Sequence, residues 1–172
     1  MQTETLLGAG ALRARVAELG AEISRWVKSL PEPPVALWLA EGALVFAADL
    51  IREIDADIEV ESLRASSYGA GLRSSGEVKF QADFSRFGGR AVLLIDDIFD
   101  TGLTLASARA KLAEAGAAPV RACVLLRKKC AGASAFPPPD YVGFEIPDKF
   151  VFGYGLDFAG KFRNKKQIEY KK

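Results

Sequence analysis

The sequence predicts an α/β fold with a mainly parallel central sheet flanked by helices. Three observations carry this. Strand-length apolar runs alternate along the chain with stretches of helical period. The runs VALWL at 35–39 and AVLLI at 91–95 are apolar throughout rather than alternating, as strands covered on both faces are. Tight turns at Gly42 and Gly102 each join a strand to a helix, the opening of an α/β unit. At 172 residues, the chain is expected to be one domain.

The elements follow in order. Leu12, Val16, Leu19, Ile23, Trp26, Val27 and Leu30 recur at steps dominated by three and four, which predicts a helix over 12–30 that Pro31, Pro33 and Pro34 end. Val35 to Leu39 is a strand, and Ala43 to Ile54 a second helix. Ile58 to Leu63 reads as the next strand. Residues 66–77, SSYGAGLRSSGE, hold four serines and three glycines and little that can be buried, which predicts a flexible surface loop. A hairpin or extended segment is expected over 78–87, with Gly88 and Gly89 turning the chain. Ala91 to Ile95 is a central strand and Thr101 to Ala115 a helix, with Gly116 placed to cap it. Strands over 120–126 and 141–146 flank a proline-rich loop at 131–139. The remainder reads as loops with one short strand near Ile168.

Composition excludes several chemistries. The chain has no histidine, so Ser-His and Cys-His nucleophiles and His-ligated metals are ruled out. Cys123 and Cys130 are not spaced as a zinc or redox motif. Lys+Arg is 23 against Asp+Glu 22, a net charge of +1, which argues against broad nucleic-acid binding. No apolar run is long enough to span a bilayer, and the N-terminus lacks the pattern of a signal peptide. A cytoplasmic protein is expected, with neither a nucleic acid nor a membrane as partner.

The chemistry concentrates in AVLLIDDIFDTGLT at 91–104. A buried strand runs into Asp96 and Asp97, Asp100 follows, and Thr101 to Thr104 opens a helix. Backbone N–H groups at a helix start, with Gly102 allowing the tight turn, form an anion cradle to which Thr101 and Thr104 add hydroxyls. Adjacent carboxylates beside it can accept bonds from sugar hydroxyls or hold Mg²⁺. A sugar 5′-phosphate satisfies both halves. The plainer alternative reads Asp96, Asp97 and Asp100 as a polar strand end with a helix cap; three acids followed by ThrGlyLeuThr directly after a five-residue apolar strand form a far more specific pattern than that.

Residues 92–104 resemble the phosphoribosyl-pyrophosphate signature of the type I phosphoribosyltransferases. DYVGFEIPDKFVFGYGLDFAGKFRN at 140–164 is similar to the purine-binding end of the hypoxanthine-guanine phosphoribosyltransferases. The resemblance covers roughly residues 12–170. It implies the type I phosphoribosyltransferase fold, with a small hood and a flexible loop beside the sheet. It also implies transfer of ribose 5-phosphate from phosphoribosyl pyrophosphate to N9 of a 6-oxopurine, assisted by Mg²⁺, in a homodimer or homotetramer.

The resemblance implies roles residue by residue. Asp96 and Asp97 would bind the ribose hydroxyls with Mg²⁺ close by; the family more often has Glu at the first. Asp100 would be the general acid/base at N7 of the purine. Asp100, Thr101, Gly102, Leu103 and Thr104 would hold the 5′-phosphate, Leu103 standing where some members carry Lys. Lys128 would donate to O6, Phe150 would stack on the base, and the Val151 carbonyl would meet its exocyclic edge. Asp157 would contact a second metal ion. Arg163 would neutralise pyrophosphate. Glu41 and Gly42 correspond to the pyrophosphate loop, in which backbone N–H groups bind and Ala40–Glu41 is the candidate cis peptide; Glu41 occupies a position often held by Lys. Ser67 and Tyr68 match the pair on the loop that closes over the reaction centre. Two alternatives stay open: a regulator that senses phosphoribosyl pyrophosphate without catalysis, and a transferase for xanthine or another base.

Overall fold

The computed structural model describes residues 2–39, 41–66, 78–129 and 135–172. In chain order these form β1 (Thr3–Leu7), α1 (Ala9–Val27), β2 (Val35–Leu39), α2 (Leu44–Arg52), β3 (Glu59–Leu63), the short β4 (Ala65–Ser66) and β5 (Lys79–Phe80), then a 3₁₀ turn at Phe84–Phe87. There follow β6 (Val92–Phe99), α3 (Leu103–Glu114), β7 (Val120–Lys128), β8 (Tyr141–Ile146), β9 (Val151–Phe152) and β10 (Ile168–Lys171).

The central sheet has the order β3-β2-β6-β7-β8 and every pairing in it is parallel. The side-chain alternation of its strands separates two apolar layers. Leu93 and Ile95 of β6 and Ala36 of β2 join the core beneath α1 and α2. Val92, Leu94, Val35 and Leu37 face the opposite way, toward Leu105, Ala108 and Leu112 of α3. Large side chains such as Phe46, Leu19 and Leu93 are wholly buried, each contributing about 1.5–3 kcal/mol relative to exposure. Helices on both faces are therefore as expected.

From β2 the chain steps outward to β3, and from β6 it steps the other way to β7. The reversal lies between β2 and β6. In open α/β sheets a crevice opens beyond the strand ends at that point, and the acidic segment lies there.

A second sheet, antiparallel and ordered β1-β10-β9, joins the two chain ends into a small hood. Neither β1 nor β9 was expected. TETLL pairs with residues at the opposite end of the chain, so nothing local marks it as a strand. Helix α1 consequently starts at Ala9 rather than Leu12, and it ends at Val27, three residues before Leu30. Residues 78–87 form no hairpin among themselves: Lys79–Phe80 pairs antiparallel with Ala65–Ser66, and Phe84–Phe87 make a single 3₁₀ turn.

Candidate active site

The acidic pair sits inside β6 and not beyond its end, because the strand continues four residues past Ile95 to Phe99. Asp96 still pairs across to Val124 of β7. Asp96 is buried at 6% exposure. Its Oδ1 accepts the Asp97 backbone N–H at 3.0 Å, and the Asp97 carboxylate accepts that of Ile98 at 2.8 Å. Burial pushes the Asp96 carboxyl well above the usual carboxylate range, and the neighbouring Asp97 charge adds to this. Burial raises Asp97 too, against the opposing pull of hydrogen bonds and the Arg163 charge.

Past the acids, Asp100 and Thr101 form the turn, and Gly102 caps α3 with φ +83°, a left-handed conformation that favours glycine. The Thr101 hydroxyl accepts the Leu103 N–H at 3.3 Å. The first turn of α3 carries no acidic residue, so its backbone N–H groups face the hollow without a carboxylate of their own helix. Asp96 to Leu105 line a hollow of about 240 Å³ around this turn, the size of a small anion with its sugar. Asp100, Thr101, Gly102, Leu103 and Thr104 all belong to it.

A larger cleft of about 600 Å³ opens on the other side of Asp97, bounded by Glu41, Gly42, Asp157 and Arg163. Asp97 is shared by both hollows. Gly42 is set by close approach: a Cβ there would lie 1.8 Å from Asp97 Oδ2. Across the cleft, Arg163 Nη1 donates to the Gly155 carbonyl at 2.8 Å, while Nη2 meets Asp157 at 2.9 Å and Glu41 at 3.5 Å. The Gly160 N–H donates to the other Asp157 oxygen at 2.8 Å.

The third part of the site is Lys128, the last residue of β7. Its Nζ donates to Asp100 Oδ2 at 2.9 Å and pairs with Asp148 at 3.0 Å. Burial alone would lower its pKa, but the two carboxylates outweigh that and raise it, so the ammonium stays charged. Among the described residues Phe150 is the most exposed large apolar side chain, 59% open, with its ring centroid 5.5 Å from that of Phe158 in a T-shaped contact. A ring held that way presents a face for stacking rather than filling the core. Val151 begins β9 and is buried against Tyr170 of β10.

This geometry gathers a glycine-capped helix start, a carboxylate pair, a lysine–aspartate couple and a cleft lined by both carboxylates and arginines around one strand switch. A phosphoribosyl transferase domain matches residues 3–159. The hypoxanthine-guanine phosphoribosyltransferase of Aquifex aeolicus is 42% identical over 158 residues, spanning 91% of this chain and 88% of that protein. This chain belongs to the hypoxanthine-guanine phosphoribosyltransferase family. Two solved members share its fold. The Staphylococcus aureus hypoxanthine phosphoribosyltransferase has a TM-score of 0.89 at 34% identity, covering 98% of this chain and 91% of that one. A Bacillus anthracis hypoxanthine-guanine phosphoribosyltransferase has a TM-score of 0.88 at 35% identity, covering 98% of both.

Within this phosphoribosyltransferase, the structure brings Asp96, Asp97, Asp100 and Thr101 to Thr104 together around one turn. It adds Glu41, Gly42, Asp157 and Arg163 on the neighbouring cleft. Ser67, Tyr68 and the Ala40–Glu41 bond lie outside the described residues. Among the described residues no three acidic side chains gather closely enough to hold a metal ion by themselves. Asp157 is taken by Arg163 and Gly160, apart from the Asp96–Asp97 pair. Two adjacent carboxylates with no direct ion-pair partner among the described residues do suit Mg²⁺, which is commonly bound by one or two carboxylates together with substrate oxygens. Sequence reasoning passed over Asp148, which holds Lys128, and Trp38, Ser62 and Arg64 on the cleft wall. Asp148 lies close to Phe150 in the chain and was within reach of a local reading. The wall residues depend on the pairing of Trp38 with Ser62 across β2 and β3, which carries no sequence signal.

Proposed function

We propose that this chain transfers ribose 5-phosphate from phosphoribosyl pyrophosphate to N9 of hypoxanthine or guanine, releasing pyrophosphate and serving purine salvage. The single observation that carries the reading is the Lys128–Asp100 contact of 2.9 Å at the mouth of the phosphate cradle. A lysine donor and a carboxylate acceptor held side by side match the O6 and N7 edge of a 6-oxopurine. Adenine presents an amine where Lys128 offers a proton, and a site built on such a bond rejects it strongly.

In this reading the α3 N–H groups, Thr101 and Thr104 hold the 5′-phosphate, and Asp96 and Asp97 fix the ribose hydroxyls. The Phe150 ring covers one face of the base, and the Val151 carbonyl meets its exocyclic edge. Entry of the base draws Lys128 toward O6 and frees the Asp100 carboxylate to take a proton at N7 as N9 attacks. Arg163 and the backbone at Glu41 and Gly42 receive the negative charge that develops on the departing pyrophosphate. Mg²⁺, when bound through Asp96, Asp97 and substrate oxygens, would supply further neutralisation of that charge; Asp157 would join only after releasing Arg163. Both substrates are highly charged or polar, so the reaction belongs in the cytoplasm where they are retained. An assembly of two or more copies is part of the same reading.

The test is turnover with phosphoribosyl pyrophosphate, Mg²⁺ and, in turn, hypoxanthine, guanine, xanthine and adenine. Nucleotide should form with a 6-oxopurine and not with adenine, and Asp100→Asn should lower kcat by about 10²–10⁴-fold at an unchanged Tm. Binding of phosphoribosyl pyrophosphate with no turnover on any base would replace the enzyme with a sensor. Near-normal turnover by a folded Asp100→Asn protein would remove Asp100 from the proton transfer.

A further inference from the structure

We infer that Arg64 is a pyrophosphate-binding cation of this site, a step that rests on the transferase reading above. The inference comes from the charges around the 600 Å³ cleft. Three carboxylates line it: Glu41, Asp97 and Asp157. Two cations do, Arg163 and Arg64. Arg163 is largely committed within the protein, since its guanidinium serves the Gly155 carbonyl, Asp157 and Glu41 together. With Arg64 set aside, a polyanion entering the cleft meets three carboxylates against a single cation that is already engaged.

Arg64 alters the balance. It follows β3 directly, is exposed, and no ion-pair partner for its guanidinium occurs among the described residues. Its backbone is held in place, the carbonyl accepting the Gln81 N–H at 3.0 Å. The β3 register puts Ser62 beside Trp38. Arg64 is two residues further on and therefore on the same face, which is the cleft wall. A guanidinium with no ion-pair partner among the described residues, on a fixed strand end and facing a cleft crowded with carboxylates, is placed to receive an anion. Its planar fork suits two phosphate oxygens at once. Glu41, on the same cleft, adds a negative charge 3.5 Å from Arg163 and so engages that cation further, which leaves Arg64 as the cation open to an incoming anion.

The experiment compares wild type, Arg64→Ala and Arg64→Lys. Pyrophosphate binding is measured by calorimetry with and without Mg²⁺, and the KM of pyrophosphate in the reverse reaction from the nucleotide. Arg64→Ala should weaken pyrophosphate about tenfold or more, as loss of a charge-assisted pair does. The KM of the purine base should move less than twofold, and Arg64→Lys should recover most of the loss. A merely structural role would shift all substrates together and would not be rescued by charge. Wild-type turnover with equal pyrophosphate affinity in Arg64→Ala would overturn the inference and leave the enzyme reading intact. Absence of turnover with an Arg64-dependent pyrophosphate affinity would overturn the enzyme reading and sustain the inference.

Discussion

At the scale of single residues, Asp96 puts function against stability. A carboxyl 6% exposed beside a second carboxyl has no ion-pair partner among the described residues. Its folded pKa lies above its unfolded value. The corresponding stability is complete below the unfolded carboxylate range, about pH 4, and is lost as pH rises through the raised folded value. Asp96→Asn should therefore flatten the pH dependence in the absence of divalent cations and raise Tm at neutral pH by a few degrees, about 1 kcal/mol being worth roughly 2–4 °C at this size. Thermal melts of both proteins from pH 4 to pH 7 measure it. Parallel curves would mean that Asp96 ionises normally in the folded state. The same variant should lose ribose binding, so stability and turnover move in opposite directions.

At the scale of elements, the site depends on how closely the turn after β2 approaches the end of β6. A Cβ on Gly42 would meet Asp97 Oδ2 at 1.8 Å, and one on Gly155 would meet the Gly42 carbonyl at 2.3 Å. Three segments distant in sequence meet there, Gly155 against the Gly42 backbone and Gly42 against the Asp97 carboxylate. Gly42→Ala should cost about 1–3 kcal/mol of stability by overpacking. It should cost more in catalysis, about 10²-fold in kcat/KM, because a displacement near 1 Å of a positioning carboxylate has that effect. Kinetics at a temperature well below Tm separate the two losses. A variant that loses stability but keeps kcat/KM would show that Asp97 tolerates the shift.

At the scale of the whole molecule, the hood ties the chain ends to the reaction centre. β10 lies between β1 and β9, and β9 carries Val151, whose carbonyl we propose meets the base. Ile168 is wholly buried in the core beneath α1 and α2, so it fastens the hood to the parallel domain. Ile168→Ala should destabilise by about 2–5 kcal/mol, and denaturant unfolding reads that directly. Purine KM should rise in the surviving folded protein. An unchanged KM would mean that β9 keeps its place without this anchor.

The sequence by itself determined the parallel core and the cradle. Unbroken apolar strands, helical spacing and the run from Asp96 to Thr104 are local signals, each set by neighbours within a turn or a strand. The tertiary structure alone decided the rest. It revealed that β6 carries Asp96 and Asp97 inside the sheet, because the hydrogen bonds that extend it come from β7. It joined TETLL to the far end of the chain, and it set Lys128 against Asp100 and Asp148. It also placed Arg64 on the same wall as Trp38, through the β2–β3 register. Each of these is a pairing between residues far apart in sequence. The physical reason is that burial, register and charge compensation belong to such pairs, and no single segment records its partner.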